Sequence, residues 1–116
     1  MINNFDIPLF KKTYDLYKTF SSYRSVIPKQ DRYTIAQRCE SMMCDLLEGV
    51  MDASQTGKSE KGVVLARASR TLNMLRVFIR LMKDTHALDT KKYVLLETSV
   101  DEIGRMLGGW IRSTHG

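Results

Sequence analysis

Wound as a helix at about 100° per residue, the stretch from Leu72 to Lys83 (LNMLRVFIRLMK) offers apolar residues on two sides and arginines at the seam between them. Leu65, Ala68, Leu72, Leu75, Ile79 and Met82 form one stripe, the core face of a helix in a small bundle. Val63, Met74, Val77, Phe78 and Leu81 lie roughly opposite, more apolar surface than a soluble monomer leaves in water. Met74, Val77, Phe78 and Leu81 are therefore expected at a contact between subunits. The competing reading is a central helix covered by its own chain.

Three further segments carry the same period. Asp6, Ile7 and Pro8 read as a cap followed by proline, after which Leu9, Phe10, Thr13, Leu16, Tyr17, Phe20 and Tyr23 share a face, so the first helix is expected near 7–26, ending before Pro28. Asp31 is the next cap candidate, opening a helix near 31–54 with Ile35, Ala36, Cys39, Met42, Met43, Leu46, Leu47 and Val50 inward. Gln55, Thr56 and Gly57 break it, and the third helix covers 58–83. After a loop through His86, Asp89 or Thr90 caps a fourth helix near 90–112, with Tyr93, Leu96, Val100, Ile103, Leu107, Trp110 and Ile111 inward. Four long helices on short connections predict an all-α, up-down-up-down four-helix bundle.

A length of 116 residues, 43% of them hydrophobic, suits one domain spanning 1–116 with a single core. No run approaches the roughly 18 apolar residues of a membrane span, and the N-terminus lacks the basic and apolar regions of a signal peptide, so the expected location is the cytoplasm. Cys39 and Cys44, five apart on a helix, point in different directions and read as buried thiols rather than a disulfide or a metal pair.

Charge separates the helices. The third holds Lys58, Lys61, Arg67, Arg70, Arg76, Arg80 and Lys83 against Glu60 alone. In the second, Asp31, Glu40, Asp45, Glu48 and Asp52 outnumber Arg32 and Arg38. Either the acidic helix neutralises the basic one, or the arginines meet an anionic partner, for which bidentate guanidinium–phosphate pairing suits them. Gly104 and Gly108 on the last helix, and Gly49 in LLEGVMDA, cost about 1 kcal/mol each in helix propensity against alanine. Close approach of a neighbouring helix is the expected compensation.

The run MLRVFIRLM (Met74 to Met82), followed about twenty residues later by EIGRMLGGWIR (Glu102 to Arg112), resembles the accessory variability determinant family of diversity-generating retroelements, relatives of the four-helix bundles encoded in ribosomal RNA intervening sequences. The likeness takes in the tyrosine-rich first helix, the PKQDRYTIAQRC entry to the second and LLEGVMDA. It implies a homopentameric barrel that binds RNA or DNA with weak sequence preference and associates with the element's reverse transcriptase. Arg76 and Arg80 match the family's third-helix arginines and Arg105 that of its last-helix motif. Arg67, Arg70 and Lys83 join the candidate surface on charge alone. The alternative is an oligomeric scaffold of the intervening-sequence type that docks on a protein.

Catalytic patterns are absent from the sequence. Diiron bundles place Glu-x-x-His on their helices, whereas Lys83 and Arg112 stand three residues before His86 and His115. No glycine-rich phosphate loop occurs. Asp45, Glu48 and Asp52 share a face and are expected to serve helix-three arginines or solvent rather than a divalent cation. The expectation is a protein with no cofactor or metal and no enzymatic activity.

Overall fold

The computed structural model describes residues 7–115. Its long helices are α1 (Pro8–Tyr23), α3 (Ile35–Gln55), α4 (Lys58–Asp84) and α5 (Thr90–Ser113); a 3-10 turn (Arg24–Val26) and a four-residue helix α2 (Lys29–Arg32) join α1 to α3. No strand occurs among the described residues, and no described helix is long and apolar enough to cross a membrane. Around the bundle α1 packs on α3, α3 on α4, α4 on α5 and α5 on α1, so the basic helix α4 stands diagonally opposite α1.

Each long helix buries most of the stripe its sequence period marks, while Tyr17, Tyr23, Ile35, Leu47, Trp110 and Ile111, also expected inward, are partly buried against the core. On α4 that stripe is Leu65, Ala68, Leu72, Leu75, Ile79 and Met82, and on α5 it is Tyr93, Leu96, Val100, Ile103 and Leu107. Thr13 is the buried polar residue of the core; its hydroxyl donates to the Leu9 carbonyl at 2.9 Å, which removes the desolvation cost of an unpaired group. At Gly49, expected to permit a close helix approach, a Cβ would stand 3.5 Å from that of Ala68 on α4, an ordinary van der Waals contact, so the packing of α3 on α4 does not require glycine there.

Three local expectations need correction. Asp31 does not open the second long helix; it lies within α2, and Thr34 stands at the N-cap position of α3 without a side-chain cap, its hydroxyl turned back to the Gln30 carbonyl. Two arginine bonds hold this extra corner, from Arg32 Nε to the Ile27 carbonyl and from Nη2 to that of Ser25, both at 2.9 Å. Only Cys39 is a buried thiol; Cys44 is exposed, because a five-residue offset carries it past the core stripe. At the start of α1, Ile7 takes the cap position with Pro8 behind it, while the expected cap Asp6 lies outside the described residues.

The other two ends are set by sharper devices. Asp89 caps α5 by accepting from the Lys92 backbone N–H at 2.8 Å. After α4, His86 adopts φ 65°, and the bonds from His86 N to Lys83 O (3.0 Å) and Ala87 N to Met82 O (2.8 Å) close a Schellman motif with a non-glycine residue at its left-handed position.

Candidate nucleic-acid interface

The outward face of α4 is divided lengthwise. Its middle carries an apolar ridge: Val63 (64% exposed), Met74 (51%), Val77 (59%) and Leu81 (44%). Phe78, expected in this ridge, departs from it; it is half-buried and packs against the chain's own core.

On the α5 side of the ridge, Arg76, Arg80 and Lys83 follow at helical spacing. Arg76 and Arg105 line a groove of about 370 Å³ between α4 and α5, together with Ser69, Asn73, Asp101 and Gly104. Arg76 Nη1 donates to Asp101 Oδ1 across the two helices. Gly104 leaves room for the Arg76 guanidinium beside α5: a Cβ at that position would stand 3.2 Å from Arg76 Nη2, a tight approach to the far end of a flexible side chain, and 3.5 Å from Leu72 Cδ2, an ordinary contact. Gly108 and Gly109 have no such role among the described residues; only Arg112 of their own helix comes near. Arg105 is exposed and makes no ion pair within 4.0 Å of a described carboxylate, although it helps to hold the Glu102 carboxyl below its usual range, after the larger effect of Lys12.

Arg80 spends one nitrogen at home. Its Nε donates to both oxygens of Asp84, at 3.1 and 3.2 Å, and that carboxylate, aided by Tyr93, pushes the guanidinium pKa up. Lys83 Nζ stands 5.1 Å from the centroid of the Tyr93 ring. Each of these cations keeps donors that the fold does not use.

The α3 side differs in sign. Arg67 lines a groove of about 220 Å³ with Asp45, Glu48 and Asp52, and Arg70 one of about 390 Å³ with Arg38, Asp45 and Met74. The acidic helix thus faces Arg67 and Arg70, while the carboxylates that pair with α4 arginines are Asp101 and Asp84, which the charge pattern does not single out. Among the described residues no three His, Cys, Asp or Glu gather as a metal group, the acidic trio included. The six cationic candidates therefore do not make one patch. Arg76, Arg80, Lys83 and Arg105 share the α4–α5 side, Arg67 lies on the α3 side opposite Asp45, Glu48 and Asp52, and Arg70 stands in line with the ridge, bordering the α3 groove beside Asp45 and Arg38.

Sequence reasoning missed Ser69 and Asn73 as groove residues. Their signal was the spacing 69, 73, 76 and 80, which keeps two neutral hydrogen-bonding groups and two arginines on one flank of α4.

A family model described as bAvd-like matches residues 8–114, which takes in all five helices and the groove between α4 and α5. No curated protein matches the chain.

Proposed function

Because this chain belongs to the bAvd-like family, a family of accessory proteins, we propose that it serves as a non-enzymatic subunit of a diversity-generating retroelement, binding nucleic acid and the element's reverse transcriptase during mutagenic copying. The observation that carries this reading is the α4–α5 groove, where the family-motif residues Arg76, Gly104 and Arg105 meet in space. Two guanidiniums, a hydroxyl and an amide line that concave surface beside the Asp101 carboxylate, which takes up one nitrogen of Arg76 and leaves Arg105 without an ion pair among the described carboxylates. That donor set suits the oxygens of a phosphodiester backbone, with weak preference among sequences because phosphates carry none.

The apolar ridge beside the groove completes the reading. Four exposed large aliphatic side chains on one line of α4 fit contact with a neighbouring subunit, and a homopentameric ring of such contacts repeats the basic groove around its circumference. Repetition converts weak phosphate contacts into tight retention of a long polyanion.

The test is a pair of variants. Charge reversal at Arg76 and Arg105 is expected to abolish RNA binding and leave helicity and assembly size intact, whereas undiminished binding by a folded double variant contradicts the proposal. Co-purification with the reverse transcriptase tests the second partner separately.

A further inference from the structure

The corner between α1 and α3 presents an aromatic side chain for which the core has no use. Residues 24–34 pass through the 3-10 turn and α2, and the two Arg32 bonds to the Ile27 and Ser25 carbonyls stiffen that path. Ile27 turns fully inward, while Tyr33 stands between α2 and α3 at 67% exposure, above every other large apolar side chain described. Burial does not account for a tyrosine held out on a braced turn.

Its surroundings are cationic. Arg24 lies over the ring, its Cζ 5.4 Å from the centroid, and an ion pair from Nη1 to Glu40 fixes that guanidinium in place. From residue 24 to 38 the cations are Arg24, Lys29, Arg32 and Arg38, against Asp31 alone. Lys29 and Arg38 are exposed, within five residues of Tyr33 on either side. An exposed ring backed by a guanidinium and flanked by free cations has the parts of a single-strand binding platform: a π-face for a base and charges for the adjoining phosphates.

We propose that Tyr33, backed by Arg24, stacks on an unpaired base of a single-stranded polynucleotide while Lys29 and Arg38 engage the flanking phosphates. The inference rests on the nucleic-acid reading for the class of polymer, and uses residues outside the α4–α5 groove: Tyr33, Arg24 and Lys29 at the corner between α1 and α3, and Arg38 on the side of α3 that borders α4. It adds a discrimination the groove lacks. Phosphate contacts accept single and double strands alike, whereas a stacking ring needs a base that is not already stacked and paired.

Fluorescence anisotropy with labelled oligouridine and with an RNA duplex of equal length, at physiological salt, tests it. Tyr33→Ala is expected to weaken oligouridine binding about tenfold, the scale of one base–aromatic stack. Tyr33→Phe, which keeps the ring, retains wild-type affinity, and neither variant changes duplex binding. Because Tyr33 contributes nothing to the core, circular dichroism of both variants matches wild type. Unchanged oligouridine affinity in Tyr33→Ala, or an equal loss on the duplex, overturns the platform and leaves the groove reading standing. Failure of the wild-type protein to bind either probe overturns both.

Discussion

Arg76 on α4 and Asp101 on α5 form an ion pair across a notch that Gly104 opens between the two helices. A single missing side chain thus sets where a family-motif arginine lies and gives the groove its depth. The contact at 3.2 Å involves the far end of a flexible side chain, not backbone, so a methyl group displaces the guanidinium by a few tenths of an ångström without moving a helix. Gly104→Ala is therefore expected to hold or raise stability, by up to about 1 kcal/mol from helix propensity. It also shifts Arg76 and changes RNA affinity. Thermal melts and binding assays on the same variant check both halves; a large loss of stability would show that α4 and α5 touch more tightly there than this geometry gives.

His86 is the described non-glycine residue at positive φ, at the end of α4. An L side chain in that region costs about 1 kcal/mol, and glycine does not incur it. His86→Gly is expected to stabilise the fold by a similar amount, measured as a higher midpoint in urea. A lower midpoint would mean that the imidazole makes a compensating contact.

Acid should loosen α5 at its start. The Lys92 backbone bond, followed by the Lys92 side chain, holds the Asp89 carboxyl below its ordinary 3.8, and Lys12 holds that of Glu102 below its ordinary 4.5. Folded-state values below the unfolded ones mean that both groups contribute stability at neutral pH, and that this is lost as pH falls through those ordinary values towards the depressed ones. The melting temperature is expected to stay level down to about pH 5 and to decline below it. Asp89→Asn keeps a good cap without a titrating group, so it should retain neutral-pH stability and flatten part of the acid decline. An unchanged acid limb would remove Asp89 as a contributor.

The two thiols should separate chemically. Burial pushes Cys39 up to about 12, whereas exposed Cys44 is raised by partial desolvation and by Asp45, Glu48 and Glu40. A thiol reagent at pH 8 should label Cys44, slowly for an open thiol, and spare Cys39 until denaturant is added. Modification of both in the native protein would indicate that the core opens readily.

Assembly is best probed at Val77 rather than Phe78. Phe78→Asp strikes the chain's own core, so its failure to assemble would say little, while Val77 is 59% exposed and its loss costs the isolated fold little. Val77→Asp is expected to yield soluble, folded protein of smaller mass by light scattering, since an unpaired carboxylate in an interface is strongly disfavoured. Unchanged mass would place the subunit contact elsewhere.

These residues mark how far the sequence could be read. The buried stripe of α4 follows directly from a period of 3.6, because burial and periodicity have one cause. The bounds of α4 and α5 were legible for the same reason, with Gly57 and Asp89 as local stops and starts. Position on the flank of a stripe is harder. Phe78 lies near the boundary between ridge and core, and which side wins depends on neighbours from another helix. At the corner of residues 24–34 the periodicity extends the first helix to 26 and opens the second at Asp31, because a 3-10 turn and a single helical turn followed by a break have no period of their own. The basic character of α4 was plain, yet the partners of Arg76 and Arg80 were not, because counting charge by helix ignores which flank each side chain takes.

The most direct test of the central claim is a salt titration of binding to a structured RNA, with wild-type protein and the Arg76→Gln/Arg105→Gln variant compared at verified assembly size. The account predicts wild-type affinity that survives physiological salt with a steep log–log slope, and a variant with weaker binding and a shallower slope, since each lost phosphate contact removes roughly one released counterion. Overlapping titrations for the two proteins, or wild-type binding that vanishes at physiological salt, would contradict a nucleic-acid role for the α4–α5 groove.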